Sequence, residues 1–168
     1  MGTPPNEANY LQSLFQKIKV EDIMEKRVIK IYEDDDFSEA FIKFKENNIT
    51  HLCVTNHANQ LVGLLSQKYL YRTQSPRKVI GDDMEYSPEI LRDGDIFYNK
   101  DTLDSYILRK VMHKNPFTML SQDTLAEAIF QMGKKNLGCI PIINEERKIK
   151  GLLTDHAIVK FIGSVLSS

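Results

Sequence analysis

Gly63-Leu64-Leu65-Ser66 is echoed 88 residues later by Gly151-Leu152-Leu153-Thr154, and the likeness runs outward from both stretches. Val20 to Tyr71 lies over Leu108 to Val159 without a gap, with ten of 52 positions identical, among them Met24/Met112, Asp35/Asp123, Glu39/Glu127, Asn48/Asn136 and Asn56/Asn144. The apolar pattern agrees as well: Ile23/Val111, Phe41/Ile129, Phe44/Met132, Val54/Ile142 and Leu61/Ile149. Similarity at a fixed offset means one supersecondary unit used twice, and a single copy would leave an apolar face uncovered. The two copies are therefore expected to pack on each other.

Each copy reads as strand, helix, strand, strand, helix. Val28 to Ile31 and Phe117 to Leu120 are short apolar runs bounded by polar residues, which suits strands. Phe37, Ala40, Phe41 and Phe44, like Leu125, Ala128, Ile129 and Met132, recur at i, i+3, i+4 and i+7 and mark one face of a helix. Asp36 with Glu39 and Thr124 with Glu127 have capping-box spacing at the helix starts. Asn48 and Asn136 stand where a left-handed residue ends a helix. His51 to Thr55 and Leu61 to Leu65 flank a polar turn and pair as strands, as do Cys139 to Ile143 and Ile149 to Leu153. Short helices follow from Gln67 and from Asp155, with Ser66 and Thr154 as N-caps.

Flanking these copies, residues 1–19 hold an apolar stripe, Leu11, Leu14, Phe15 and Ile18, at helical spacing. It covers the molecule's own sheet or docks on a second subunit. Repeat 1 spans 20–71, a connector 72–107, and repeat 2 108–168. The connector's 36 residues, eight acidic and five basic, exceed what a simple link needs. Within it, Ile96-Phe97-Tyr98 suggests a strand and Leu103 to Leu108 a helix, while Asp82, Asp83 and Glu85 fit no calcium loop.

Composition narrows the function classes. At 168 residues, 42% hydrophobic and 27% charged, the chain fits one globular unit that needs neither metal nor disulfide as a staple. The 22 Lys and Arg nearly cancel 23 Asp and Glu, so no positive excess marks a nucleic-acid or membrane partner. Cys53 and Cys139 lack metal-ligand spacing and read as buried thiols of a reducing compartment. No run approaches membrane-spanning length, no secretion signal opens the chain, and Asn6 departs from the myristoylation pattern, so a cytoplasmic location is expected. The histidines, His51, His57, His113 and His156, have no zinc spacing. Arg109, Lys110, His113 and Lys114 form a basic cluster at the start of the second copy. No nucleophile elbow, P-loop, dinucleotide fingerprint or metal cluster is present, so catalytic and metal residues are expected to be none, and an enzyme is the least supported class.

Val20-Glu21-Asp22-Ile23-Met24, Thr124-Leu125-Ala126-Glu127-Ala128, Ile140-Pro141-Ile142-Ile143-Asn144 and the two glycine-led stretches resemble the motifs of CBS domains. Two in tandem resemble a Bateman module, an α/β (α+β) fold of two βαββα repeats packed through their sheets, here with an N-terminal helix. The resemblance implies clefts that hold an adenosine-containing ligand such as AMP, ADP, ATP or a related adenosyl compound, with no cofactor required. Carried over by position, the second copy's ligand residues are Thr118, Ile140, Pro141, Ile142, Gly151 and Thr154, with Asp155 and His156 beside them. Lys30, Leu52, Val54, Gly63 and Ser66 match in the first copy. In both, the glycine is expected to let the ligand approach closely. The family's ribose-binding aspartate is replaced by Tyr69 and Ala157. A regulatory nucleotide sensor, a homodimer acting on an unidentified protein partner, is the first expectation, with Thr154 in the better cleft. An interaction or dimerisation scaffold with degenerate sites is the alternative.

Overall fold

The computed structural model describes residues 5–68 and 108–167. Helix α1 (Pro5–Lys17) leads through a 3₁₀ turn (Val20–Asp22) into β1 (Lys30–Tyr32), α2 (Phe37–Asn47), β2 (His51–Thr55) and β3 (Leu61–Ser66). The second half runs α3 (Leu108–Val111), β4 (His113–Lys114), β5 (Met119–Leu120), α4 (Leu125–Lys135), β6 (Cys139–Ile143), β7 (Ile149–Thr154) and α5 (Asp155–Leu166). The mixed α/β architecture expected from the repeat is present, as two sheets of order β1-β2-β3-β4 and β5-β6-β7. In each, the first strand runs parallel to the second and the hairpin that follows is antiparallel. The expected strand and helix in the connector lie outside the described residues.

Local chemistry differs from the sequence expectation at two points. The leading strands start later than Val28 and Phe117, at Lys30 and Met119, because Val28 and Ile29 enter the cores as irregular chain. At the helix starts, Thr124 caps α4 by accepting from the Glu127 amide at 3.2 Å, but Asp36 makes no such bond. What the copies share instead is an aspartate one residue earlier. Asp35 accepts from Tyr32 N at 2.9 Å and Asp123 from Leu120 N at 2.8 Å, turning the chain from strand to helix in both. Asn48 (φ 49°) and Asn136 (φ 54°) end the helices in the left-handed conformation, as expected.

The cores do not follow the order of the sequence. Val20, fully buried, lies in the second repeat's core with Leu125, Ile140 and Leu153. Leu108, its counterpart 88 residues on, is fully buried in the first repeat's core with Phe37, Phe44 and Leu65. The lead-in of each repeat thus completes the other repeat, and burying a Val or Leu side chain this way stabilises by about 1.5–3 kcal/mol. Backbone pairing follows the same exchange. Glu25 and Leu152 trade amide bonds of 2.9 Å across β7, while His113 and Lys114 pair with Leu64 and Gly63 on β3. The N-terminal helix covers α4 rather than a sheet, with Phe15 and Ile18 packed on the second core.

A third cluster, Cys53, Leu61, Cys139, Ile143 and Leu152, joins the halves through their sheets. The hairpin turns clasp one another at one end of this interface. Leu61 N donates to Arg147 O at 2.9 Å, and the Arg147 guanidinium returns a 3.2 Å bond to Leu61 O. Among the described residues, no helix is long and apolar enough to cross a membrane.

Candidate ligand grooves between the repeats

The exchange explains why the two repeats share Met24/Met112 and Gly63/Gly151. A Cβ built on Gly63 would sit 2.8 Å from Cγ of Met112, and one on Gly151 2.8 Å from Cγ of Met24. Each glycine admits the close approach of a methionine from the other repeat's lead-in.

Two open spaces flank this arrangement. One, of about 170 Å³, is lined by His51, Leu64, Ser66 and His113 on one side and by Asn136 to Cys139 on the other, so both repeats supply walls. A Cβ on Gly138 would stand in ordinary contact with the His51 ring, at 3.5 Å. Burial holds the His51 pKa below the ordinary histidine value, with Asp155 acting in the opposite direction. Its Nδ1 lies 3.0 Å from the Thr50 hydroxyl.

The other space, of about 440 Å³, runs between the first lead-in (Asp22, Ile23, Glu25) and α5 (His156, Ala157, Lys160, Phe161). Thr154, 7% exposed, is the N-cap of α5 and bonds two residues that line this space, Glu25 and Ala157. Its hydroxyl accepts from Ala157 N at 3.0 Å and donates to Glu25 Oε1 at 3.3 Å. Asp155 caps the His156 amide at 2.7 Å. Just past β3 and β7 the chain makes the same bond, Gln67 N to Thr50 O at 2.8 Å and Asp155 N to Gly138 O at 3.0 Å.

Of the residues carried over by position, Ser66 lines the first groove and His156 the second, and Thr154 bonds Glu25 and Ala157, which line the second. Leu52, Val54, Ile140 and Ile142 are fully buried in the cores and Pro141 is buried in β6, and none of them lines either groove. Lys30 is exposed on the edge strand β1, and Thr118 is half-buried just before β5. Tyr69 lies outside the described residues. The residues that line the grooves without having been singled out, Asp22, Glu25, Leu137, Gly138, Lys160 and Phe161, come from the exchanged lead-in, the residues just before β6, and α5.

Cys53 and Cys139 are buried free thiols, Cys53 pushed up to about 12 and Cys139 also well above the ordinary value, by burial. His57 stacks on Tyr32 and pairs with Asp34 at 2.9 Å on the exposed turn. From the basic cluster, Arg109 pairs with Glu33 at 2.9 Å.

The CBS domain model matches residues 20–75 and 108–164. The chain belongs to the CBS domain family. It carries the domain as a tandem pair, and solved CBS pairs share its fold. The pair of protein MJ0100, solved with 5′-methylthioadenosine and S-adenosyl-L-methionine, aligns at TM-score 0.66 and 18% identity over 87% of this chain and 96% of that one. CBSX2, solved with AMP, aligns at 0.67 and 17% over 88% and 98%. Protein MJ1225 of Methanocaldococcus jannaschii aligns at 0.70 and 15% over 94% and 52%. Among curated proteins, a homoserine O-acetyltransferase of Methanococcus vannielii is 23% identical over 93% of this CBS pair, which spans 27% of that enzyme's length. A CBS domain-containing protein of Dictyostelium discoideum is 24% identical over 89% of this chain and 94% of its own.

Proposed function

We propose that this CBS pair is a regulatory module that senses an adenosine-containing ligand held in the grooves between its repeats. The observation that carries the reading is the construction of the Ser66 groove. His51, Leu64 and Ser66 come from the first repeat and Asn136 to Cys139 from the second, with His113 supplied by the exchanged lead-in. A ligand there touches both halves, so it binds one relative arrangement of the repeats better than another and shifts the population toward it. The AMP bound to CBSX2 and the adenosyl compounds bound to MJ0100 support the ligand class.

The module acts through a partner protein and carries no chemistry of its own. The acetyltransferase match lends it no activity, since the shared part is 27% of that enzyme. Self-association into a homodimer is supported by the exposed apolar residues of α5, Val159, Val165 and Leu166, and is tested by sedimentation at micromolar concentration.

Thermal unfolding in the presence of AMP, ADP, ATP and S-adenosylmethionine tests the sensing reading. At a hundred times its dissociation constant a ligand adds about 2.7 kcal/mol, a readily measured rise in Tm. Ala157 offers no carboxylate to ribose hydroxyls, so affinity rests on the groove walls. If none of the four compounds raises Tm, the interaction scaffold is the better account.

A further inference from the structure

Two turns of the same construction meet at one end of the interface between the repeats. Each is closed by a 2.9 Å amide bond, Asn59 N to Asn56 O and Arg147 N to Asn144 O, and by a 3.0 Å bond, Asn56 N to Gln60 O and Asn144 N to Lys148 O. Asn59 (φ 63°) and Arg147 (φ 62°) hold the same left-handed place in them. Asparagine visits that conformation readily, whereas it costs an arginine roughly tenfold in population. An asparagine at 147 would close the turn better, so the arginine side chain needs a reason of its own.

That reason lies across the interface. The Arg147 guanidinium donates to Leu61 O at 3.2 Å, and Arg147 O accepts from Leu61 N at 2.9 Å. Both backbone polar groups of the fully buried Leu61 are thereby tied to one residue of the other repeat. Beside them Gln60 Nε2 donates to Glu146 O at 3.2 Å, and Gln60 and Lys148 form a β-bridge. The other end of the same strands is built differently. β2 and β6 run from His51 and Cys139 toward the turns, and at their starts the halves enclose the space of about 170 Å³.

We propose that Arg147 is a clasp, kept in a strained backbone conformation for the reach of its guanidinium, and that it makes the turn end the pivot about which one repeat moves against the other. Relative movement then widens or narrows the end where β2 and β6 begin and leaves the turn end fixed. The proposal does not depend on a ligand: it concerns where the halves are joined, and stands whatever sets them in motion.

Two variants separate reach from strain. Arg147→Ala keeps the strained backbone and loses the guanidinium, whereas Arg147→Asn relieves the strain and loses it too. Both should lower the urea midpoint, Arg147→Ala further, and both should speed exchange of the Leu61 amide about fivefold. A midpoint above the wild type for Arg147→Asn, with Leu61 exchanging no faster, would make 147 an ordinary turn position and overturn the clasp.

Spin-label distances test the pivot in the full chain, with labels on engineered cysteines at exposed positions, Cys53 and Cys139 being buried. One pair, Ala58→Cys with Glu145→Cys, spans the turn end; the other, Glu46→Cys with Lys134→Cys, spans the ends of α2 and α4, which lead to the open end. The turn-end distance distribution should be the narrower of the two, and Arg147→Ala should widen it to match the other. A turn-end distribution as broad as the other in the presence of Arg147, or one that Arg147→Ala leaves unchanged, overturns the proposal.

Discussion

Replacing Gly63 by alanine tests the exchange of lead-ins at its tightest contact. The new methyl would stand 2.8 Å from Met112 Cγ and 3.2 Å from its Cβ, and Met112 is buried in the first core at 8% exposure. Two effects oppose each other. An alanine in a strand restricts the unfolded chain and gains about 0.4–1 kcal/mol, whereas overpacking a filled site costs about 1–3 kcal/mol. Because the clash reaches Cβ of Met112, which is anchored to the β3-paired lead-in, rotation of a flexible tip cannot relieve it, and overpacking wins. A net loss of about 1–2 kcal/mol is expected. Met112→Ala alone should cost about 2–5 kcal/mol through the cavity it leaves. The double variant should cost at least about 1 kcal/mol less than the sum, because the added methyl then occupies space the sulfur vacated. Urea unfolding of the four proteins provides the cycle. Additive losses, within about 0.5 kcal/mol, would mean that residue 63 and Met112 do not share that space. At Gly151 the Glu25 carbonyl lies 3.1 Å from the same added methyl, so Gly151→Ala should also weaken the Glu25–Leu152 pairing and slow nothing but raise amide exchange there.

Four further outcomes follow from particular residues. Leu108→Ala should cost about 2–5 kcal/mol, and amide exchange should speed up first in β1 to β3 rather than in the second repeat that follows Leu108 in sequence; the opposite pattern would contradict the exchanged cores. Thr154→Ala should lose about 1 kcal/mol of stability as a cap at the start of α5, read from the urea midpoint, and no loss would remove that role. His51 has a pKa depressed by burial, so its neutral form stabilises the fold above the ordinary histidine pKa, and that contribution is lost as pH falls through the depressed value; His51→Gln should flatten the stability profile over that acidic interval. With its pKa pushed up to about 12, Cys53 should ignore a disulfide reagent at pH 8 in the folded protein, as should Cys139, both reacting only as urea unfolds it.

Much of the fold was legible because the repeat states it twice. Asn48 with Asn136 and the two hairpins recur at one offset, and local rules of capping and alternation translate them directly into structure. The exchange of lead-ins was not legible, since hydrophobic spacing tells which face of Val20 or Leu108 is buried but not which core receives it. In retrospect the shared Met24/Met112 and Gly63/Gly151 pairs were the trace of that contact, a large side chain and the missing one that makes room for it. The groove walls depended on the same information. Glu25 and His113 face the grooves only because each lead-in crosses to the other sheet, so no local pattern around either residue marks it. Apolar residues expected against a ligand, such as Ile140 and Leu52, alternate in the same way whether they meet a ligand or a core, and here they meet cores.

Filling the Ser66 groove gives the most direct test of ligand sensing. Gly138→Val would project branched carbons toward His51, whose ring lies 3.5 Å from the first of them, and close the space between the repeats. Calorimetric titration of AMP and ATP into both proteins should give saturable binding to the wild type and none to the folded variant. Binding of equal strength to both, or to neither, would contradict the assignment of this groove as the nucleotide site.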